Sequence, residues 1–164
     1  EQFGAGFMYL PELVAAGEAL KNAVAVLEPE LTRRGTQRQI LGRVVIGTIE
    51  GDIHEIGKAL VATMLSASSF QVYDLGVDVP VMAFVEKARE VKADIIGVSA
   101  LLTTTMARQK EVITALEAQG MRPGVKVMVG GAPVTRNWAK EIGADGYSED
   151  AVGAVTVAKQ LVSK

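Results

Sequence analysis

Residues 36–164 predict a doubly wound α/β domain built on a five-stranded parallel sheet. Two observations carry this. Short β-branched runs alternate with helical stretches five times in series. The runs are also near-continuously apolar, as in strands covered on both faces, rather than alternating as in strands with one wet face. A chain of 164 residues suits one such domain with a small appendage.

The elements read as follows. "LPELVAAGEALKNAVAVL" (10–27) sets Leu13, Gly17, Leu20, Val24 and Leu27 on one stripe, with Pro11 in its first turn. This is a helix that cannot bury its own face and needs a neighbouring domain, a partner or further helices. Residues 28–42 read as connector, and the cluster Arg33, Arg34, Arg38 and Arg43, in it and at its end, as a solvated run. "RVVIGTI" (43–49) is a strand and 55–68 a helix. "FQVYDLG" (70–76) is a strand, and 80–91 a helix opened by Pro80. "DIIGVSA" (94–100) is a strand and 105–119 a helix, with Thr104 or Thr105 as its cap. "VKVMVGG" (125–131) is a strand, followed by the short helix "VTRNWAKEIG". "ADGYS" holds a last short strand, and 150–162 closes as a helix. Five strands of this kind take the flavodoxin-like order 2-1-3-4-5, whose switch point lies between strands 1 and 3. Ligands bind there, outside the carboxyl ends of the strands.

Composition excludes several functions. Lys and Arg number 17 against 19 Asp and Glu, so no basic field draws the chain to nucleic acid or to a membrane surface. With no cysteine there is no disulfide, thiolate zinc site or cysteine nucleophile, which fits a cytoplasmic location. No apolar run is long enough to span a bilayer, and no signal peptide is visible. The chain begins at Glu1 rather than Met, so further N-terminal sequence is expected.

The single histidine, His54, lies in "EGDIHEIG", the loop after strand 1 and thus at the expected crevice. A lone histidine there can be a base, a metal ligand or an ordinary hydrogen-bonded ring. Asp52, two residues earlier, can share its side of an extended loop. A carboxylate that accepts one ring N–H makes the other nitrogen a better donor to metal. Gly57 permits a sharp turn or a close approach to the backbone. The loop after strand 3 carries Ser99, Thr103, Thr104 and Thr105. Strand 4 ends in Gly130-Gly131, which alone is only a turn. No nucleophile elbow, Walker loop or dinucleotide fingerprint is present. One histidine without cysteine or a second histidine does not hold zinc tightly. If His54 binds metal, a cofactor must supply most of the coordination, as a macrocycle with four ligands would.

Asp52-x-His54-x-x-Gly57, then Ser99-x-Leu101, then Gly130-Gly131, resembles the three-part signature of cobalamin-binding domains of the base-off, His-on type. The resemblance implies that His54 replaces the cofactor's own benzimidazole as lower axial ligand to cobalt, and that Asp52 holds the other ring nitrogen. It implies that Thr105 extends the relay and that Thr103 faces the lower side of the cofactor. Ser99, Leu101, Gly130 and Gly131 would form the slot for the displaced nucleotide tail. Ile53, Glu55, Ile56 and Ala132 would complete the cofactor contacts, with Tyr147 a further candidate for the slot.

Residues 1–35 resemble the end of the helical cap domain that precedes such domains in methionine synthase and small corrinoid proteins. The whole looks most like the corrinoid subunit of a methyl-transfer system. That implies a methyl group taken up on Co(I) from a methylated substrate through a substrate-specific methyltransferase. It would be passed through an acceptor methyltransferase to tetrahydrofolate or coenzyme M, with a reductive activase as a further partner. The resemblance leaves open a cobalamin-binding light-sensing regulator and the cobalamin domain of a carbon-skeleton mutase. The helix at 8–27 lacks the Trp and Glu-His pair of the former, and the cap-like segment argues against the latter.

Overall fold

Small side chains at strand ends shape this domain as much as its apolar runs do. The computed structural model describes residues 40–163, with residues 9, 11, 12, 15, 16, 19, 22, 23, 26, 27 and 33. Of the helix expected over 10–27, Pro11, Glu12, Ala15, Ala16, Ala19, Asn22, Ala23, Val26 and Leu27 are helical and exposed. Its other residues, most of the connector and the domain division at 35/36 lie outside the described residues.

Five strands, β1 (Gly42–Thr48), β2 (Phe70–Asp74), β3 (Ile95–Ser99), β4 (Lys126–Gly130) and β5 (Gly146–Tyr147), pair in parallel in the order β2-β1-β3-β4-β5. This is the order the sequence predicts, with β1 and β3 adjacent at the switch point. Helices α1 (Ile56–Ala67) and α6 (Ala151–Val162) cover one face. Helices α2 (Val81–Val91), α4 (Arg108–Ala118) and α5 (Arg136–Ile142) cover the other.

Side-chain alternation along each strand builds two unlike layers. Val45, Ile96, Val98, Val127 and Val129 point to the α2–α4–α5 side and stay large to the strand ends. Val44, Ile95 and Met128 begin the α1–α6 side in the same way. On that side, however, Ile95 is followed by Gly97 and Ser99, and Met128 by Gly130. The layer therefore empties toward the carboxyl ends.

The helix expected over 105–119 is divided. A one-turn helix, α3 (Thr103–Met106), is separated from α4 at Ala107. Neither Thr104 nor Thr105 caps it, because the N-cap is Leu102 and makes no side-chain bond. Thr105 is buried, and its hydroxyl turns inward instead, as described below.

Candidate functional site

The chain leaves β1 through a tight turn in which the Asp52 N–H donates to the Ile49 carbonyl over 3.1 Å. Gly51 makes the turn at φ 86°, a conformation other residues adopt only under strain. The sharp turn thus lies at Gly51 and not at Gly57. The turn drops the Asp52 side chain into the interior, where it is fully buried.

An ionised carboxylate out of water costs several kcal/mol unless it is well paired. Asp52 is. Oδ1 lies 2.6 Å from His54 Nδ1 and accepts the His54 N–H over 3.1 Å. Oδ2 accepts the Leu101 N–H over 2.7 Å, the Leu102 N–H over 3.2 Å and the Thr105 hydroxyl over 2.9 Å. Burial pushes the Asp52 carboxyl up, but the bonds from His54, Leu101 and Thr105 outweigh it and hold the group well below the usual carboxylate range. Asp52 is therefore an anion. It fixes the His54 proton on Nδ1 and leaves the lone pair on Nε2. The ring is half exposed, with 48% of its side-chain surface open. From below, buried Thr48 donates its hydroxyl to the His54 carbonyl over 2.9 Å.

Beside His54 the emptied layer opens into a cavity of about 750 Å³. Its floor is Ile46, Gly97, Ser99, Met128 and Gly130; Gly57, Leu60 and Val61 form one wall and Ala151 and Ala154 the other. Gly131 and Ala132, just past the end of β4, line it as well. The two glycines at the loops act differently. Gly131 has φ 127°, and a Cβ there would sit 1.8 Å from the Ala100 carbonyl oxygen, so only glycine fits. A Cβ on Gly57 would meet no protein atom within 4 Å, so packing does not require glycine there.

The other expected residues divide. Ile53, Glu55, Ile56, Ser99 and Leu101 line the cavity with His54. Ile53 and Ile56 are largely exposed there and Leu101 is partly so, an apolar rim around the imidazole. Thr103 is exposed at the start of α3 and does not line the cavity. Tyr147 also stands apart. It pairs with Val129 across the sheet, and both side chains pack on the opposite layer. Its ring meets Arg136 in a separate shallow groove. Parallel register fixes this: the slot-facing position at the end of β5 is one residue later, at Ser148, which does line the cavity.

Thr48, Leu60, Val61, Met128 and the start of α6 are site residues that motif reading missed. Only their place at strand ends or facing helix turns would have pointed to them. The residues present suit an incoming group with its own ligand set. Among the described residues no three His, Cys, Asp or Glu side chains gather to hold a metal ion. One imidazole with a directed lone pair stands beside a long apolar slot.

A family model described as the B12 binding domain matches residues 42–156. The chain is 52% identical to dimethylamine corrinoid protein 2 of Methanosarcina acetivorans over 160 residues, 98% of this chain and 74% of that protein. It superposes on the monomethylamine corrinoid protein of Methanosarcina barkeri with a TM-score of 0.69 and 42% identity, covering 98% of this chain and 75% of that one. It superposes on a chain of the methanol:cobalamin methyltransferase complex of the same organism with a TM-score of 0.88 and 28% identity, covering 98% of this chain and 60% of that one. Together with buried Asp52 paired to His54 at the mouth of a slot at the carboxyl ends of β1, β3 and β4, these matches lead to one conclusion: the chain belongs to the B12-binding family of corrinoid proteins.

Proposed function

We propose that this protein is a methyl carrier in which His54 would ligate the cobalt of cobalamin and the cavity beside it would hold the nucleotide tail. The observation that supports this most directly is the 2.6 Å contact between Asp52 and His54 Nδ1 at the mouth of the apolar slot. When bound, the corrinoid supplies a cobalt that accepts a methyl group and gives it up.

The chain's own residues supply the rest. Asp52 keeps the proton on His54 Nδ1, so Nε2 offers its lone pair to the metal. Should Nε2 take a proton instead, the imidazolium remains paired with the Asp52 carboxylate. Three N–H groups and the Thr105 hydroxyl keep the charge on that carboxylate in both states. Ile46, Leu60, Val61 and Met128 offer apolar walls that exclude water from the tail. Gly57, Gly130 and Gly131 let it lie close to the backbone, and Ile53, Ile56 and Leu101 offer an apolar platform around the imidazole.

The methyl donor we propose is a methylated amine, since relatives at 52% identity are named dimethylamine and trimethylamine corrinoid proteins. A substrate-specific methyltransferase would load the carrier. An acceptor methyltransferase would unload it to tetrahydrofolate or coenzyme M, and a reductive activase would restore it after oxidation.

Reconstitution with cobalamin tests this. The cobalt(II) form should show one axial nitrogen by paramagnetic resonance, and His54→Ala should abolish that signal while leaving some corrinoid bound through the tail. A protein that takes up no corrinoid, or a nitrogen signal that survives His54→Ala, would refute the assignment.

A further inference from the structure

The segment that carries Asp52 and His54 is held at both ends by one neighbouring loop, Asp74–Asp78, which begins at the last residue of β2 and leads toward α2. This loop lines no part of the cavity. On the near side, Asp78 Oδ1 accepts the Gly51 N–H over 2.7 Å, and the Asp78 N–H donates to the Asp52 carbonyl over 2.9 Å. Asp78 makes both bonds from a left-handed backbone, φ 54°, where side chains other than Asn and Asp are seldom found. On the far side, Asp74 pairs through Oδ1 with Lys58 Nζ. The Lys58 side chain is fully buried in the first turn of α1, four residues after His54, and Glu55 lies 3.6 Å from the same ammonium. Between the two grips, the Gly76 carbonyl accepts the Thr48 N–H over 3.0 Å, and the Gly76 N–H donates to Asp74 over 2.9 Å.

A lysine hidden in a short helix is costly unless its partner is fixed. A left-handed aspartate is costly unless its bonds repay the strain. Asp78 and the aspartate that pairs with Lys58 sit on one loop, and they grip the same short segment from opposite ends.

We infer that the Asp74–Asp78 loop is a bracket that positions the cobalt-ligand segment, with Asp74 and Asp78, which lie outside the cavity, as positioning residues and Lys58, which lines the cavity, as the group that Asp74 grips. The role in coordination rests on the proposed function above. The bracketing of residues 51–58 does not, because it belongs to the protein without cofactor. Asp52 sets the charge beside His54, and the bracket sets where the two stand relative to the slot.

The test compares wild type with Asp78→Ala, Asp78→Asn and the paired change Lys58→Met with Asp74→Asn, which removes both charges together so that neither is left buried alone. Amide hydrogen exchange is read across residues 51–58 in cofactor-free protein. Axial nitrogen coordination is read in the same proteins after loading with cobalamin. Asp78→Ala and the paired change should each speed exchange in 51–58 by about tenfold, the loss expected for one charge-assisted hydrogen bond, and should lower the fraction with nitrogen bound. Asp78→Asn keeps an accepting oxygen and tolerates the left-handed backbone, so it should restore both readings. Unchanged exchange in Asp78→Ala and in the paired variant would overturn the bracket, whatever the cofactor does. Faster exchange with undiminished nitrogen coordination in Asp78→Ala, whose site lies outside the cavity, would overturn its role in positioning the ligand. A wild type that binds cobalamin without axial nitrogen would refute the ligand assignment, and the exchange reading would still decide the bracket.

Discussion

Asp52 is the residue on which the site turns, because it is buried, charged and fully used. Its carboxyl sits below the ordinary aspartate value of 3.8, so the ionised form stabilises the fold above that value. The contribution is lost as pH falls from about 3.8 toward the lowered folded value. Asp52→Asn should therefore cost about 3 kcal/mol at neutral pH, the scale for disturbing a buried, hydrogen-bonded charge. The difference from wild type should shrink below pH 3.8; urea unfolding of cofactor-free protein at pH 7 and pH 3 measures it. Thr105→Val removes one of several donors to the same carboxylate. It should cost about 1 kcal/mol, and Thr105→Ser should recover most of it. Asp52 and His54 were readable from their spacing, since alternate residues of an extended loop share a side. The inward turn of Thr105 was not: the sequence Thr-Thr-Thr before a helix suggests a cap, and only the carboxylate waiting across the sheet redirects its hydroxyl.

At the scale of elements, the site is the meeting of four strand ends with the first turns of α1 and α6. The strand that supplies each loop was recognisable, because β-branched runs ending in Gly or Ser are conspicuous. What each glycine is for was not. Gly131→Ala places a Cβ against the Ala100 carbonyl oxygen at a backbone angle only glycine takes readily, and should destabilise the protein by about 3 kcal/mol or more. Gly57→Leu puts its first atom into open space at the slot wall and improves helix propensity, so thermal stability should hold or rise by about 0.5 kcal/mol. The same change should sharply reduce cobalamin binding, because the side chain occupies the cavity. Melting curves and spectral titrations of the two variants separate a glycine needed for folding from one needed for the ligand. Tyr147 illustrates the same limit. A strand of two residues gives no periodicity from which to tell its faces, so only its pairing with Val129 assigns the ring to the layer opposite the slot.

For the molecule as a whole, the expected outcome is that the slot governs affinity and the imidazole governs coordination. A corrinoid without the nucleotide tail should bind on the order of 100-fold more weakly than cobalamin, about 2.7 kcal/mol, because it leaves the apolar cavity unfilled. Competition measured by equilibrium dialysis checks this, and equal affinity of the two corrinoids would rule out the tail slot. The five-stranded order, the crevice between β1 and β3, and the pairing of Asp52 with His54 could all be read from residue patterns. The first two follow from local periodicity joined to the handedness of parallel crossovers, and the third from alternation along an extended loop. The cavity itself could not. It arises because Gly97, Ser99 and Gly130 fall on one face and Val98 and Val129 on the other, and because α1 and α6 straddle the gap. Nor could the bracket of Asp74, Asp78 and Lys58, whose members are scattered along the chain and become neighbours only when β2 lies beside β1. Periodicity is a property of the chain and survives in the sequence. Contact between distant residues exists only once the sheet has set their register.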